Sequence, residues 1–84
     1  MSSKTNILKI QRLVARRAKT LSMSEAAVRR EIAAACKTSP DFVYQWCNRI
    51  RPIPAQFAIP LERFFGADVY PREEIAPDVF KDAA

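Results

Sequence analysis

Between Asp41 and Asn48 the side chains of Asp41, Tyr44, Gln45 and Asn48 recur at spacings of three, one and three residues. On a helix that spacing gathers them on one face. Two amides, a phenol and a carboxylate can donate and accept hydrogen bonds, the chemistry that reads base edges in a major groove. Ser39, just ahead of them, would join at the helix start. A merely solvated face more often carries Lys and Glu. Around this face lie Arg29 and Arg30, then Lys37 and Thr38, then Arg49 and Arg51. Cations and hydroxyls in such places suit phosphates, which set register without reading sequence.

Other chemistries lack their residues. The 84-residue chain has no His, two Cys and one Gly. Ser–His and Cys–His pairs and a His-bearing zinc site are therefore ruled out, and two thiolates cannot close a four-thiolate site. Gly66 alone makes no phosphate-cradling loop. Cys36 and Cys47 fall on apolar faces, where Cys behaves as a small apolar residue. The sequence thus predicts a protein that is not an enzyme and needs no cofactor or metal. No apolar run is long enough to span a membrane, and no signal-peptide core is present, so a cytoplasmic setting with reduced cysteines is expected.

The charge is uneven. Residues 1–51 carry eleven cations against three acids, a net +8, while residues 52–84 carry three cations against six acids, a net −3. A basic body with an acidic end points to a polyanionic partner for the first half.

The elements that must position these groups read as one all-α domain over residues 1–84. At 49% hydrophobic residues the chain has enough apolar stock for a small core. Residues 1–4 read as a frayed start, and 5–20 as a basic amphipathic helix that Thr5 could cap. Ile7, Ile10, Val14, Ala18 and Leu21 form its apolar stripe, with Lys9, Arg12, Arg16 and Lys19 opposite. Ser22 and Glu25 have the spacing of a capping box for a second helix ending near Cys36, with Val28, Ile32, Ala35 and Cys36 on its inner face. Ser39 is the expected N-cap of a third helix, with Pro40 at its first position, running to Arg49. Val43, Trp46 and Ile50 should be its buried side, flanked by Phe42. Pro52 and Pro54 force an extended link. A supporting helix follows within 55–66, bent by Pro60 or starting near it, and ends at Gly66. Residues 67–84 read as an extended tail with one short helical turn at 71–75. Residues 23–49, two short helices about a tight turn in a basic setting, suggest helix-turn-helix.

Residues 29–80 resemble the Cro-type, YdaS-like family of small phage and prophage transcriptional regulators. The likeness rests on Ser39-Pro40, Val43 and Trp46, then on Arg51-Pro52-Ile53-Pro54-Ala55. Leu61-Glu62-Arg63 with Gly66 follows, and Arg72-Glu73-Glu74-Ile75-Ala76-Pro77-Asp78 closes it. The resemblance implies a helix-turn-helix domain of four to five helices. Its recognition helix, starting at Pro40, would enter the major groove of double-stranded operator DNA, with Ser39, Asp41, Tyr44, Gln45 and Asn48 meeting bases. A promoter would be occluded by a homodimer, for which Val69, Tyr70, Val79 and Phe80 are candidate interface residues. Three features depart from the pattern. Lys37 stands where the turn usually has Gly, and would need another turn shape or a left-handed conformation. Arg49 stands where Gly often follows the recognition helix, and could extend it. Residues 1–28 exceed the usual lead-in. Two further readings stand beside this one. One is an antitoxin or antirepressor module that docks on a protein, a toxin or repressor, and binds DNA weakly. The other is a binder of RNA or single strands, for which Tyr44 is the only exposed aromatic expected.

Overall fold

The computed structural model describes residues 8–80. These residues form α1 (Lys9–Leu21), α2 (Glu25–Cys36), α3 (Pro40–Cys47), a 3-10 turn (Ala55–Phe57), α4 (Ala58–Phe65), α5 (Arg72–Ile75) and α6 (Pro77–Phe80). Among the described residues there is no strand, so the all-α expectation holds. No helix among them is long and apolar enough to cross a membrane.

α1 begins later than its periodicity suggests. Leu8 is already extended, with φ −56° and ψ 147°, and stands at the N-cap. The cap expected at Thr5 lies outside the described residues. The buried face is Ile10, Leu13, Val14 and Ala18. Leu13 replaces the expected Leu21, which is half exposed because it is the last helical residue before the chain reverses. Of the cations expected opposite, Lys9 is half-buried and bonded to Glu74 at 2.8 Å, which ties α1 to α5. Arg17 does the same for α2 through Glu31 at 2.9 Å.

The first three helices end alike. Ser22, Lys37 and Arg49 all take positive φ, at 54°, 58° and 62°. In each case the next N–H reaches back five residues: Met23 to the Ala18 carbonyl, Thr38 to Ala33, Ile50 to Gln45. This is the Schellman closure, usually built on Gly. Ser22 is therefore the terminator of α1 and not the cap of α2. The cap of α2 is Ser24, whose Oγ accepts from the Ala27 N–H at 3.0 Å. Lys37 adopts the left-handed alternative expected of it. Arg49 does not extend α3 but ends it. Replacing Lys37 with Gly should relieve about 1 kcal/mol of left-handed strain, net of the entropy Gly adds to the unfolded chain. The expected result is a melting temperature about 4–8 °C higher. An equal or lower value would mean that the Lys37 side chain holds the turn.

α2 buries Val28, Ile32, Ala33 and Cys36. Ala35, expected inside, is exposed because the inner face is rotated toward Ala33. α3 starts with Ser39 at the N-cap position and Pro40 in its first turn, although the Ser39 hydroxyl makes no capping bond. Val43 and Trp46 are buried as expected, joined by Cys47. Ile50 is instead 60% exposed, because the helix stops at Cys47 and the reversal at Arg49 turns it outward. Burial pushes the thiols of Cys36 and Cys47 up to about 11, so both are neutral at physiological pH and behave as core atoms.

The proline link leads into the 3-10 turn and then α4. Starting at Ala58 puts Pro60 third in the helix, where a backbone N–H has no carbonyl to reach. Gly66 closes α4 with φ 101°, and its N–H reaches the Glu62 carbonyl at 2.7 Å. Residues 67–70 are a turn, not an extended stretch: the N–H groups of Val69 and Tyr70 both return to the Gly66 carbonyl. α5 matches the short turn expected, and α6 is a second one where an extended tail was expected. Residues 81–84 of that tail lie outside the described residues.

Glu62 fastens α5 to α4. It accepts from the Arg72 backbone N–H at 2.9 Å and from the guanidinium Nη2 at 2.7 Å. These bonds hold its carboxyl below the ordinary value of 4.5. A carboxylate with a depressed folded pKa stabilises the fold above its unfolded pKa, and that stabilisation is lost as pH falls through the folded value. Melting temperature should therefore drop on acidification below about pH 4.5, and Glu62→Gln should flatten that limb. A variant with the wild-type acid profile would place the titration elsewhere.

Candidate nucleic-acid interface

The turn of residues 37–39 sets α3 against α2, and α2 packs closely on α3 and on α1 and α4. Burying Val43, Trp46 and Cys47 leaves the opposite side of α3 in solvent. Ser39, Asp41, Tyr44 and Asn48 are exposed there. Four of the five residues expected to meet bases are thus exposed, Ser39 at the start of α3 and Asp41, Tyr44 and Asn48 along its outer side and end. Their states differ. The Asn48 amide donates to the Tyr44 carbonyl at 2.8 Å, finishing the helix and leaving its Oδ1 as an acceptor. Gln45 is only half exposed, and its Oε1 is enclosed without a hydrogen-bond partner.

The cations divide into committed and uncommitted ones. Arg29 is partly buried, 4.0 Å from Glu25 and 5.3 Å from the centroid of the Tyr44 ring. It acts on the outer face of α3 by holding the phenol from α2. Arg30, Lys37 and Arg51 are exposed and have no ion-pair partner among the described residues. Thr38 is half-buried in the turn, and Arg49 is exposed at the end of α3. On α1, Arg12, Arg16 and Lys19 are exposed and likewise without an ion pair among the described residues. Two of the three acids of the first half are spent on other cations, Glu25 on Arg29 and Glu31 on Arg17, while Asp41 stays exposed.

Sequence reasoning missed two things here. Phe42, expected to flank the core, is 46% exposed. It borders a groove of about 560 Å³ between the turn, α3 and the proline link. Its place one residue after Asp41, about 100° around the helix, was the available signal. The Arg29–Tyr44 contact crosses the turn and has no local signature. Of the suggested interface residues, Tyr70 is buried, Val69 and Phe80 pack against the core, and Val79 alone is well exposed. Burial pushes the Tyr70 hydroxyl up to about 12, with Glu74 adding to the shift.

No protein-family model matches this chain, and neither does any curated protein or solved structure.

Proposed function

We propose that the chain is a helix-turn-helix regulator that binds double-stranded operator DNA. In this reading α2 and α3 are the motif, α3 enters the major groove, and a homodimer occludes a promoter in a bacterial cytoplasm. The observation that carries it is the outer face of α3. Ser39, Asp41, Tyr44 and Asn48 are exposed, and the exposed cations Arg30, Lys37 and Arg51 have no ion pair among the described residues. Polar readers flanked by phosphate-seeking cations form the arrangement such an interface needs. The sequence likeness to Cro-type regulators agrees with it. Helix-turn-helix dimers read half-sites about one helical turn apart, so a pseudo-palindromic operator is expected.

The test is fluorescence anisotropy on the promoter beside the chain's own gene and on a scrambled duplex, from about 50 to 200 mM salt. Tight binding with a wide gap between the duplexes supports the reading. Equal binding to both removes sequence specificity, and no binding at the lowest salt removes DNA altogether. Arg30→Ala should weaken both duplexes alike and reduce the salt slope by about one. An unchanged slope would take Arg30 out of the phosphate contacts. The groove beside Phe42 favours a second reading, in which a protein partner docks on the same domain.

A further inference from the structure

The groove between the turn, α3 and the proline link has its own chemistry. Its lining includes Phe42, Trp46, Phe57 and Pro54, with Lys37 and Arg51 as its charged groups and no carboxylate. Phe42 is 46% exposed, a large aromatic left in water on a helix that buries Val43, Trp46 and Cys47. Trp46 and Phe57 stand 5.1 Å apart at a tilt of 42°, which makes a firm aromatic wall. An apolar recess rimmed by charge of one sign marks an interaction site. Lys37 and Arg51 have no ion pair among the described residues, so their attraction is open to an incoming carboxylate.

We propose that this groove binds an acidic peptide segment of a partner protein, one that carries a bulky apolar side chain flanked by carboxylates. The apolar side chain enters beside Phe42 and Phe57, and the carboxylates meet Lys37 and Arg51. The segment is drawn by charge and held by aromatic burial, the division of labour usual at interfaces. A consequence rests on the DNA reading given above: Lys37 and Arg51 cannot serve a carboxylate and a phosphate at once. Peptide and duplex then compete, and the partner acts as a release factor.

The test uses the full chain and a fluorescein-labelled hexapeptide of five glutamates around one phenylalanine. Controls replace the phenylalanine with alanine or the glutamates with lysines. Without DNA, anisotropy should rise to saturation with the acidic phenylalanine peptide and be at least about tenfold weaker with either control. Phe42→Ser should weaken it by a similar factor, and its melting curve should stay near wild type because Phe42 is already half in water. Arg51→Gln provides a second variant expected to weaken the peptide. Absence of saturable binding up to about 1 mM, the weak end of useful affinity, would overturn the proposal. Equal binding of the lysine peptide would do the same. So would sedimentation showing that the chain self-associates and that Phe42→Ser returns it to monomer, since the occupant would then be a second copy. In a second arm, the acidic peptide should release a bound promoter duplex from wild type. It should fail to do so from Phe42→Ser, which keeps its own duplex binding. If no duplex binds at all, the DNA reading fails while the direct titration still decides the groove.

Discussion

Trp46→Ala is expected to leave the domain only marginally stable, with a large unfolded fraction at physiological temperature. Trp46 is 2% exposed and is the largest fully buried side chain among the described residues. Removing a buried aromatic of this size costs roughly 3–5 kcal/mol. A domain of this length has about 5–15 kcal/mol in total, and small ones sit at the low end. The loss is also local in a damaging way. Trp46 joins α3 to the Phe57 ring and so to the turn that starts α4. Without it, α3 keeps Val43 and Cys47 but loses its hold on the proline link. Thermal unfolding followed by circular dichroism should show a broad, early transition. Melting at the wild-type temperature would mean that α3 is docked by other contacts and that the helix phase argued here is wrong.

The inner faces of α2 and α3 were legible, apart from Ala35 and Ile50, because their apolar residues recur at helical spacing. Val28, Ile32, Cys36, Val43 and Trp46 are all buried as their pattern predicts. The start of α3 was legible from Pro40, whose missing N–H only a first turn tolerates. The helix ends were less so. A left-handed residue is announced by Gly, and Ser22 and Arg49 carry no such mark, while for Lys37 the left-handed form was one of two turn shapes expected. Misjudging Arg49 then placed Ile50 inside, because a helix continued past Cys47 would have turned it inward. Ser22 and Ser24 show a related ambiguity. Both are good N-cap residues, and only the closure of α1 onto Met23 assigns the first to one helix and the second to the next. The end of the chain was the hardest part. The turn at 67–70 and α6 are fixed by the carbonyls of Gly66 and Ala76, which accept from N–H groups three and four residues on, single turns too short to show a periodicity. At the candidate interface, residue type found the outer face of α3 but could not sort its members. Asn48 finishing the helix and Gln45 lying half inside both depend on where the helix stops.

Gln45 leads to the second large effect, which has opposite signs in two measurements. In the free protein its Oε1 is enclosed and unpartnered. A buried acceptor without a hydrogen bond costs about 1–3 kcal/mol. Gln45→Ala removes that acceptor while leaving the backbone carbonyl that receives the Ile50 N–H. Ala is also a better helix former. The variant should therefore melt at or above the wild-type temperature. On operator DNA the same substitution should cost affinity. In the DNA reading proposed above, a Gln amide that swings outward to a base edge would gain two hydrogen bonds and relieve its own unpaired oxygen. Discrimination of about 1–3 kcal/mol per base-reading pair predicts a 5- to 150-fold loss on the operator and little change on a scrambled duplex. Tyr44, held from behind by Arg29, needs no such rearrangement. The two readouts separate the possible roles of Gln45. A stable variant with lost operator preference makes it a reader that is stored inward until DNA arrives. A destabilised variant with intact preference makes it a packing residue and leaves recognition to Ser39, Asp41, Tyr44 and Asn48.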